Sequence, residues 1–236
     1  MMESEFDGEE IGSRSGVEDV LTSKGWLSSC DPMLRQQLLD IGRPSRFEPG
    51  EVLFRIGDEP EGIYGVANGA VHIAMPADDG QELVIYHADT GFWVGDLELF
   101  SEQARIATVT AAAPTLCLFI SRTKLRRLLD REPIHFRDFY KMSYENGRNI
   151  MRTLANMTVT GSDKRLALKL LQYDENKGDP NAWITIAQNQ LALMTALSVP
   201  TLERVLRRMA GAGLVEIGYG KLRILDRSGL RSLARS

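Results

Sequence analysis

Three arginines, Arg204, Arg207 and Arg208, stand close together shortly after Ser198-Val199-Pro200-Thr201. A guanidinium offers a rigid fork of N–H donors that matches both the major-groove edge of guanine and the oxygens of a phosphate, so a helix with these side chains on one face could read DNA. The residues needed for that helix are present. Ser198 suits an N-cap, Pro200 suits a first helical turn, and Leu202, Val205 and Leu206 recur as a buried stripe. The opposite stripe presents Val199, Pro200, Glu203, Arg204, Arg207 and Arg208, with Thr201 beside it. Upstream, Thr185 and Gln188 are spaced as in a capping box and open a helix with Leu191, Ala192 and Thr195 inward. The turn Ala196-Leu197-Ser198 then joins two helices into a helix-turn-helix, with Ala196 where a glycine is usual. After Gly211 and Gly213, Leu214 to Ile217 and Lys221 to Leu225 predict a hairpin wing around Gly218-Tyr219-Gly220, placing Lys221 and Arg223 toward phosphates. Gln188, Ser198 and Thr201 complete the expected DNA-contacting set. An ordinary helical corner with a hairpin would lack the basic face.

The formal charge of −4 argues against nucleic acid, but its distribution does not. Residues 160–236 hold 12 Lys/Arg against 7 Asp/Glu, and residues 1–159 hold 16 against 25. The basic C-terminal third is the phosphate-facing end. Residues 1–19 are rich in Glu, Asp, Gly and Ser, without the basic start and apolar core of a secretion signal, and predict a disordered acidic tail. No apolar run approaches the roughly 20 residues that span a bilayer. A cytoplasmic protein without a membrane partner is expected.

Catalytic chemistry finds little support. Cys30 and Cys117 are the only cysteines and lie far apart, giving neither a disulfide framework nor a metal knuckle. His72, His87 and His135 lack the clustered spacing of a cupin-like metal enzyme, and no nucleophile–base pair or phosphate loop stands out. The sequence predicts no catalytic residue, no metal site and no enzyme.

The elements that must position the basic helix come earlier. Short β-branched and aromatic runs, Val52 to Arg55, Ile63 to Ala67, Ala70 to Ala74, Leu83 to His87 and Thr108 to Thr110, predict a β-sandwich or β-roll. From Pro133 the seam Phe136, Tyr140, Ser143, Gly147, Ile150, Leu154 and Met157 alternates spacings of four and three, which suits a long helix that pairs with its own copy or packs on the β-domain. Thr160-Gly161-Ser162-Asp163 supplies a helix stop and the N-cap of a further helix, Lys164 to Tyr173, and so marks a hinge.

Several blocks are more specific: Phe47-Glu48-Pro49-Gly50-Glu51-Val52-Leu53-Phe54, Gly57-Asp58, Tyr64, Asn68-Gly69-Ala70-Val71, and Gly95-Asp96-Leu97-Glu98-Leu99-Phe100 followed by Arg105-Ile106-Ala107-Thr108. With the winged motif they resemble the cyclic-AMP receptor protein and fumarate-nitrate regulator (Crp/Fnr) family over roughly residues 45–226. The resemblance implies an α+β chain: an N-terminal cyclic-nucleotide-binding-like β-roll (a double-stranded jelly roll), a long dimerisation helix and a C-terminal winged helix-turn-helix. It implies a tail over 1–19, a sensor domain over 20–132, a dimerisation helix over 133–160 and a DNA-binding domain over 161–236. The expected partners are double-stranded DNA, a second copy of the chain and RNA polymerase. The alternative is a ligand-binding β-roll whose C-terminal domain docks a protein.

The last block resembles the family's phosphate-binding cassette, where backbone amides and one arginine hold the cyclic phosphate. The implied ligand set is Gly95, Asp96, Leu97, Arg105, Ile106 and, on the long helix, Ile150 and Met151. Arg105 would hold the phosphate or form a structural salt bridge, for instance to Asp96. The departures argue against cyclic AMP: Asp96 is shorter than the usual Glu, Ile106 replaces a small hydroxyl residue, and Ile150 and Met151 cannot hydrogen-bond a base. An iron-sulfur cluster needs about four cysteines and finds two. Haem stays open, since His72, His87, His135, both cysteines and the methionines are all ligating types. The effector is another small ligand or none. At the DNA face the family's usual Arg-Glu pair after the serine is here Val199-Pro200, and only the later arginine, Arg204, is kept, so the operator should differ from the family's common half-site.

Overall fold

The computed structural model describes residues 14–76, 82–175 and 183–235. The chain divides between Arg148 and Asn149 into two compact units. In the first, helices α1 (Arg14–Ser23), α2 (Gly25–Ser28) and α3 (Pro32–Ile41) precede strands β1 (Arg43–Phe47), β2 (Val52–Phe54), β3 (Gly62–Asn68), β4 (Ala70–Pro76), β5 (Glu82–Asp89) and β6 (Trp93–Val94). The short helix α4 (Asp96–Ser101) interrupts the strands before β7 (Thr108–Ala111) and β8 (Thr115–Ser121). Helix α5 (Arg122–Arg131), a 3-10 turn at Pro133–His135 and helix α6 (Phe136–Met157) follow, and the division falls within α6.

The strands form two antiparallel four-stranded sheets, ordered β1-β8-β3-β6 and β2-β7-β4-β5. Leu116 to Ile120 of β8 are buried without a break. Such a continuous apolar run suits a strand covered on both faces, but it lacks the alternation that marks a strand in sequence, and β8 was not predicted. Helices α1, α2 and α3 cover the first sheet. Val17 and Leu21, four residues apart, join Leu27, Leu34 and Leu38 in a core with Ile63, Trp93, Leu118, Leu125, Phe139 and Met142. The predicted tail therefore gives way to helix at Arg14, because Val17 and Leu21 supply a buried stripe; residues 1–13 lie outside the described residues.

Trp26 ties α6 to this core. Its indole Nε1 donates to the Asp138 carbonyl at 2.8 Å, and its ring packs edge-on against Trp93, with centroids 5.4 Å apart. The positions of the predicted seam along α6 divide into exposed and half-buried ones, and the Met157 side chain lies outside the described residues. Phe136, Tyr140 and Leu154 are exposed, joined by Tyr144 and Met151, whereas Phe139, Met142 and Asn146 face inward. Ser143 leaves the seam because its hydroxyl bonds Asp96.

The second unit contains α7 (Ser162–Glu175), β9 (Ile184–Thr185), α8 (Gln188–Met194), α9 (Val199–Gly211), β10 (Val215–Gly218), β11 (Lys221–Ile224) and α10 (Arg227–Arg235). A three-stranded sheet, β10-β11-β9, closes over α9, and Leu166, Leu170, Leu191, Leu202, Val205, Leu206, Ile224 and Leu230 share one core.

Candidate DNA interface and sensor cassette

The turn between α8 and α9 is held by the Leu197 amide donating to the Ala192 carbonyl at 2.9 Å and the Thr195 hydroxyl donating to the Leu191 carbonyl at 2.7 Å. Reversing the chain this sharply puts Ala196 at φ 50°, the left-handed region that a side chain disfavours. Ser198 caps α9: its Oγ accepts from the Thr201 amide at 3.4 Å and donates to the Thr201 hydroxyl at 2.9 Å. Leu202, Val205, Leu206 and Met209 then bury one side of α9, which leaves Val199, Pro200, Arg204, Arg207 and Arg208 exposed and Thr201 and Glu203 at the margin.

The arginines on that face are not equivalent. Arg207 pairs with Glu203 one turn back at 3.0 Å, and Arg208 reaches Asp163 at the start of α7 at 2.5 Å. Arg204 makes no ion pair among the described residues. Gln188 is exposed at the start of α8.

In the wing, Gly218 pairs with Lys221, so Tyr219 and Gly220 form a two-residue tip, with only the second, Gly220, at a positive φ of 63°, the position at which a type II turn favours glycine. Tyr219 is 103% exposed, an aromatic hydroxyl at the tip of the hairpin. Across the strands Arg223 faces Glu216 and pairs with it at 2.6 Å, so its charge is not wholly free for a phosphate. Lys221 is exposed, and its Nζ lies 4.8 Å from the centre of the Trp183 ring, with the Arg223 guanidinium 5.0 Å from the same centre. Trp183 thus backs both wing cations from the residue before β9. Sequence reasoning missed it; the clue was a tryptophan abutting Ile184-Thr185, the pair that forms the third strand of the wing sheet.

The cassette of the first unit turns on Gly95, whose φ of 94° admits α4 directly after β6. A Cβ there would stand 2.7 Å from Arg105 Nη1, so the position must be glycine. Arg105 is 2% exposed. Its Nη1 donates to the Gly95 carbonyl at 2.9 Å and to Glu98 Oε2 at 3.1 Å, its Nη2 donates to the Gly62 carbonyl at 2.5 Å, and the guanidinium lies 4.0 Å from the Phe54 ring centre. Glu98 Oε1 accepts from the Ile106 amide at 3.2 Å. Of the two roles left open for Arg105, the structure shows a salt bridge, made with Glu98 and not with Asp96. The cause is helical spacing, since two residues along α4 turn the side chain by about 200°, which carries Glu98 toward Arg105 and leaves Asp96 toward α6.

Asp96 is 3% exposed and accepts from the Ser143 hydroxyl at 2.5 Å and from Asn146 Nδ2 at 3.1 Å; Asn146 Nδ2 also donates to the Trp93 carbonyl at 2.9 Å. Burial raises the Asp96 carboxyl above its ordinary range despite these donors, which act the other way, and the Glu98 charge adds to the rise. Of the expected ligand residues, Gly95 and Arg105 come together and Asp96 adjoins them. Leu97 and Ile106 have exposed side chains, while Ile150 and Met151 lie in the second unit, Met151 well exposed. Glu98, Ser143 and Asn146 were missed. The spacing of three between Ser143 and Asn146 was the available signal for one helical face. A cavity of about 360 Å³ beside Arg105 is lined by Leu53, Phe54, Tyr64 and three carboxylates, Asp58, Glu59 and Glu61. No group of three His, Cys, Asp or Glu is placed to hold a metal among the described residues, and none of their helices is long and apolar enough to cross a membrane.

A cassette-bearing β-sandwich followed by a winged helix-turn-helix defines a sensor joined to a DNA reader. Residues 44–132 match the cyclic nucleotide-binding domain and residues 164–233 the Crp-like helix-turn-helix domain, and the chain belongs to the Crp/Fnr family of DNA-binding transcription regulators. It is similar, at 26% identity over 234 residues, to the HTH-type transcriptional regulator Cmr of Mycobacterium tuberculosis, covering 95% of this chain and 93% of that protein. It is also 26% identical over 198 residues to the cAMP-activated global transcriptional regulator CRP of Pasteurella multocida, covering 82% and 94%. The solved structure of FixK2 from Bradyrhizobium japonicum shares the fold, with a TM-score of 0.72 and 18% identity over 82% of this chain and 97% of that one.

Proposed function

We propose that the chain regulates transcription as a homodimer whose two α9 helices enter successive major grooves, with Arg204 as the base-reading residue and with an effector other than cyclic AMP, or none. The observation that carries this reading is the state of the arginines: Arg204 is exposed at the first turns of α9 and unpaired among the described residues, whereas Arg207, Arg208 and Arg223 hold carboxylates. Val199 and Pro200 at the tip offer apolar contact, suited to a thymine methyl. Gln188, Ser198, Thr201 and Lys221 supply backbone contacts that set the register. The exposed stripe Phe136, Tyr140, Tyr144, Met151 and Leu154 on α6 supports the dimer, because a narrow apolar seam on a long helix buries best against its own copy. RNA polymerase as a further partner, and the division of roles among residues 20–132, 133–160 and 161–236, belong to the same reading.

Selection from a random DNA pool, with and without cyclic AMP, tests it. A two-fold symmetric sequence with half-sites about 10 base pairs apart, enriched equally in both arms, is the expected result. Failure to enrich any sequence would favour a C-terminal domain that docks a protein, and enrichment only with cyclic AMP would overturn the effector assignment.

A further inference from the structure

A cyclic nucleotide makes two polar demands on a binding domain: its phosphodiester carries one negative charge shared by two free oxygens, and its ribose hydroxyl seeks an acceptor. Both demands meet groups in this chain that are already engaged. Glu98, 5% exposed, presents two carboxylate oxygens, of which Oε2 takes Arg105 Nη1 at 3.1 Å and Oε1 takes the Ile106 amide at 3.2 Å. A guanidinium and a backbone amide converging on one two-oxygen anion are the donors a phosphodiester would require. At the neighbouring acceptor, both oxygens of Asp96 are held by α6, through Ser143 and Asn146.

We propose that Glu98 is a built-in anion occupying the phosphate seat of the sensor domain, so that this seat is filled by the protein itself and closed to cyclic nucleotides. This rests on the reading of Gly95 to Ile106 as the sensor's cassette. Charge explains why the seat is not shared. With Glu98 in place the buried Arg105 is neutralised, and an incoming phosphate would add a second negative charge with no other cation among the described residues that line the adjoining cavity. The carboxylates of Asp58, Glu59 and Glu61 around the adjoining cavity repel an anion further. Removing Glu98 should therefore do two things: leave a buried, uncompensated guanidinium, and open a seat of the size and charge of a small oxyanion.

The test uses the full-length chain without DNA, so its outcome bears on the sensor and leaves the DNA-reading proposal to the pool selection. Calorimetry with cyclic AMP and cyclic GMP, and melting temperature against inorganic phosphate at constant ionic strength, are measured for the wild type, Glu98→Gly and Glu98→Gln. The wild type should show no binding heat at nucleotide concentrations of about 1 mM and no phosphate-specific shift. Glu98→Gly should melt lower, regain melting temperature as phosphate is added, and bind a cyclic nucleotide at least roughly tenfold more tightly than the wild type. Glu98→Gln keeps the length and an acceptor while losing the charge. It should stay folded and gain a phosphate response smaller than that of Glu98→Gly, because the freed charge attracts the anion while the amide still fills part of the seat, and this preserves the test if the glycine variant does not fold. Tight nucleotide binding by the wild type would overturn the proposal, as would folded variants indifferent to phosphate.

Discussion

Arg204 and Lys221 are both cations without a carboxylate partner among the described residues, and the proposed function gives them different work. Arg204 rises from the first turns of α9, where a fork of donors can meet a base edge, and Lys221 stands on the wing, where a compact charge can meet only a backbone phosphate. Arg204→Ala should cost about 1–3 kcal/mol on the preferred operator and relax the choice of base at one position of each half-site. Lys221→Ala should weaken every sequence alike and reduce the salt slope by about one per protomer. Fluorescence anisotropy on a set of single-base operator variants separates the two, and equal losses on all DNA for both variants would remove the assignment. Asp96 has its own signature. Its carboxyl titrates above the ordinary 3.8 because burial disfavours the charge, so the native state holds this proton more tightly than the unfolded chain. That acid costs the fold nothing below its unfolded value and progressively destabilises it as pH rises through the higher folded value. The stability of Asp96→Asn should lack this decline. Denaturant midpoints of the two proteins from pH 3.8 upward would show their difference growing with pH, and a flat difference would contradict the assignment.

The helix-turn-helix was legible as an element because each of its signals is local: the Ser198 cap, Pro200 in the first turn, and the stripe of Leu202, Val205 and Leu206. The wing was legible from its glycines. Residues 43–47 and 115–121 were not, since β1 and β8 depend on a partner strand and on cover by α1 and α3, and neither writes a period into its own sequence. Glu98 escaped notice for a related reason: its role exists only once α4 turns it toward an arginine that arrives from beyond the helix. Ala196 is the instructive local case. The sequence pattern prefers glycine there, and the structure shows why, with φ at 50°. A left-handed alanine costs roughly 1–2 kcal/mol, offset in part by the lower entropy of its unfolded state, so Ala196→Gly should raise stability by about 0.5–1 kcal/mol. Urea unfolding would detect it, and a loss of stability would mean that the turn relaxes around the methyl group.

At the scale of the whole molecule, the two thiols report on integrity. Cys30 and Cys117 are buried and free, and burial pushes each up to about 12. Thiolate is scarce at neutral pH and access is blocked, so neither should react with iodoacetamide until the first unit opens. Mass spectrometry should find both unmodified in the native protein and both labelled in denaturant; labelling of either in the native state would place it nearer the surface. The ion pairs of the second unit carry a different consequence for DNA binding. An arginine that keeps Glu203, Asp163 or Glu216 beside it brings almost no net charge to a phosphate and displaces few cations from the DNA. These carboxylates act as resident counterions. The grip on DNA should therefore depend on ionic strength less steeply than a count of the basic residues on α9 and the wing suggests, leaving a larger share of its selectivity intact as salt rises.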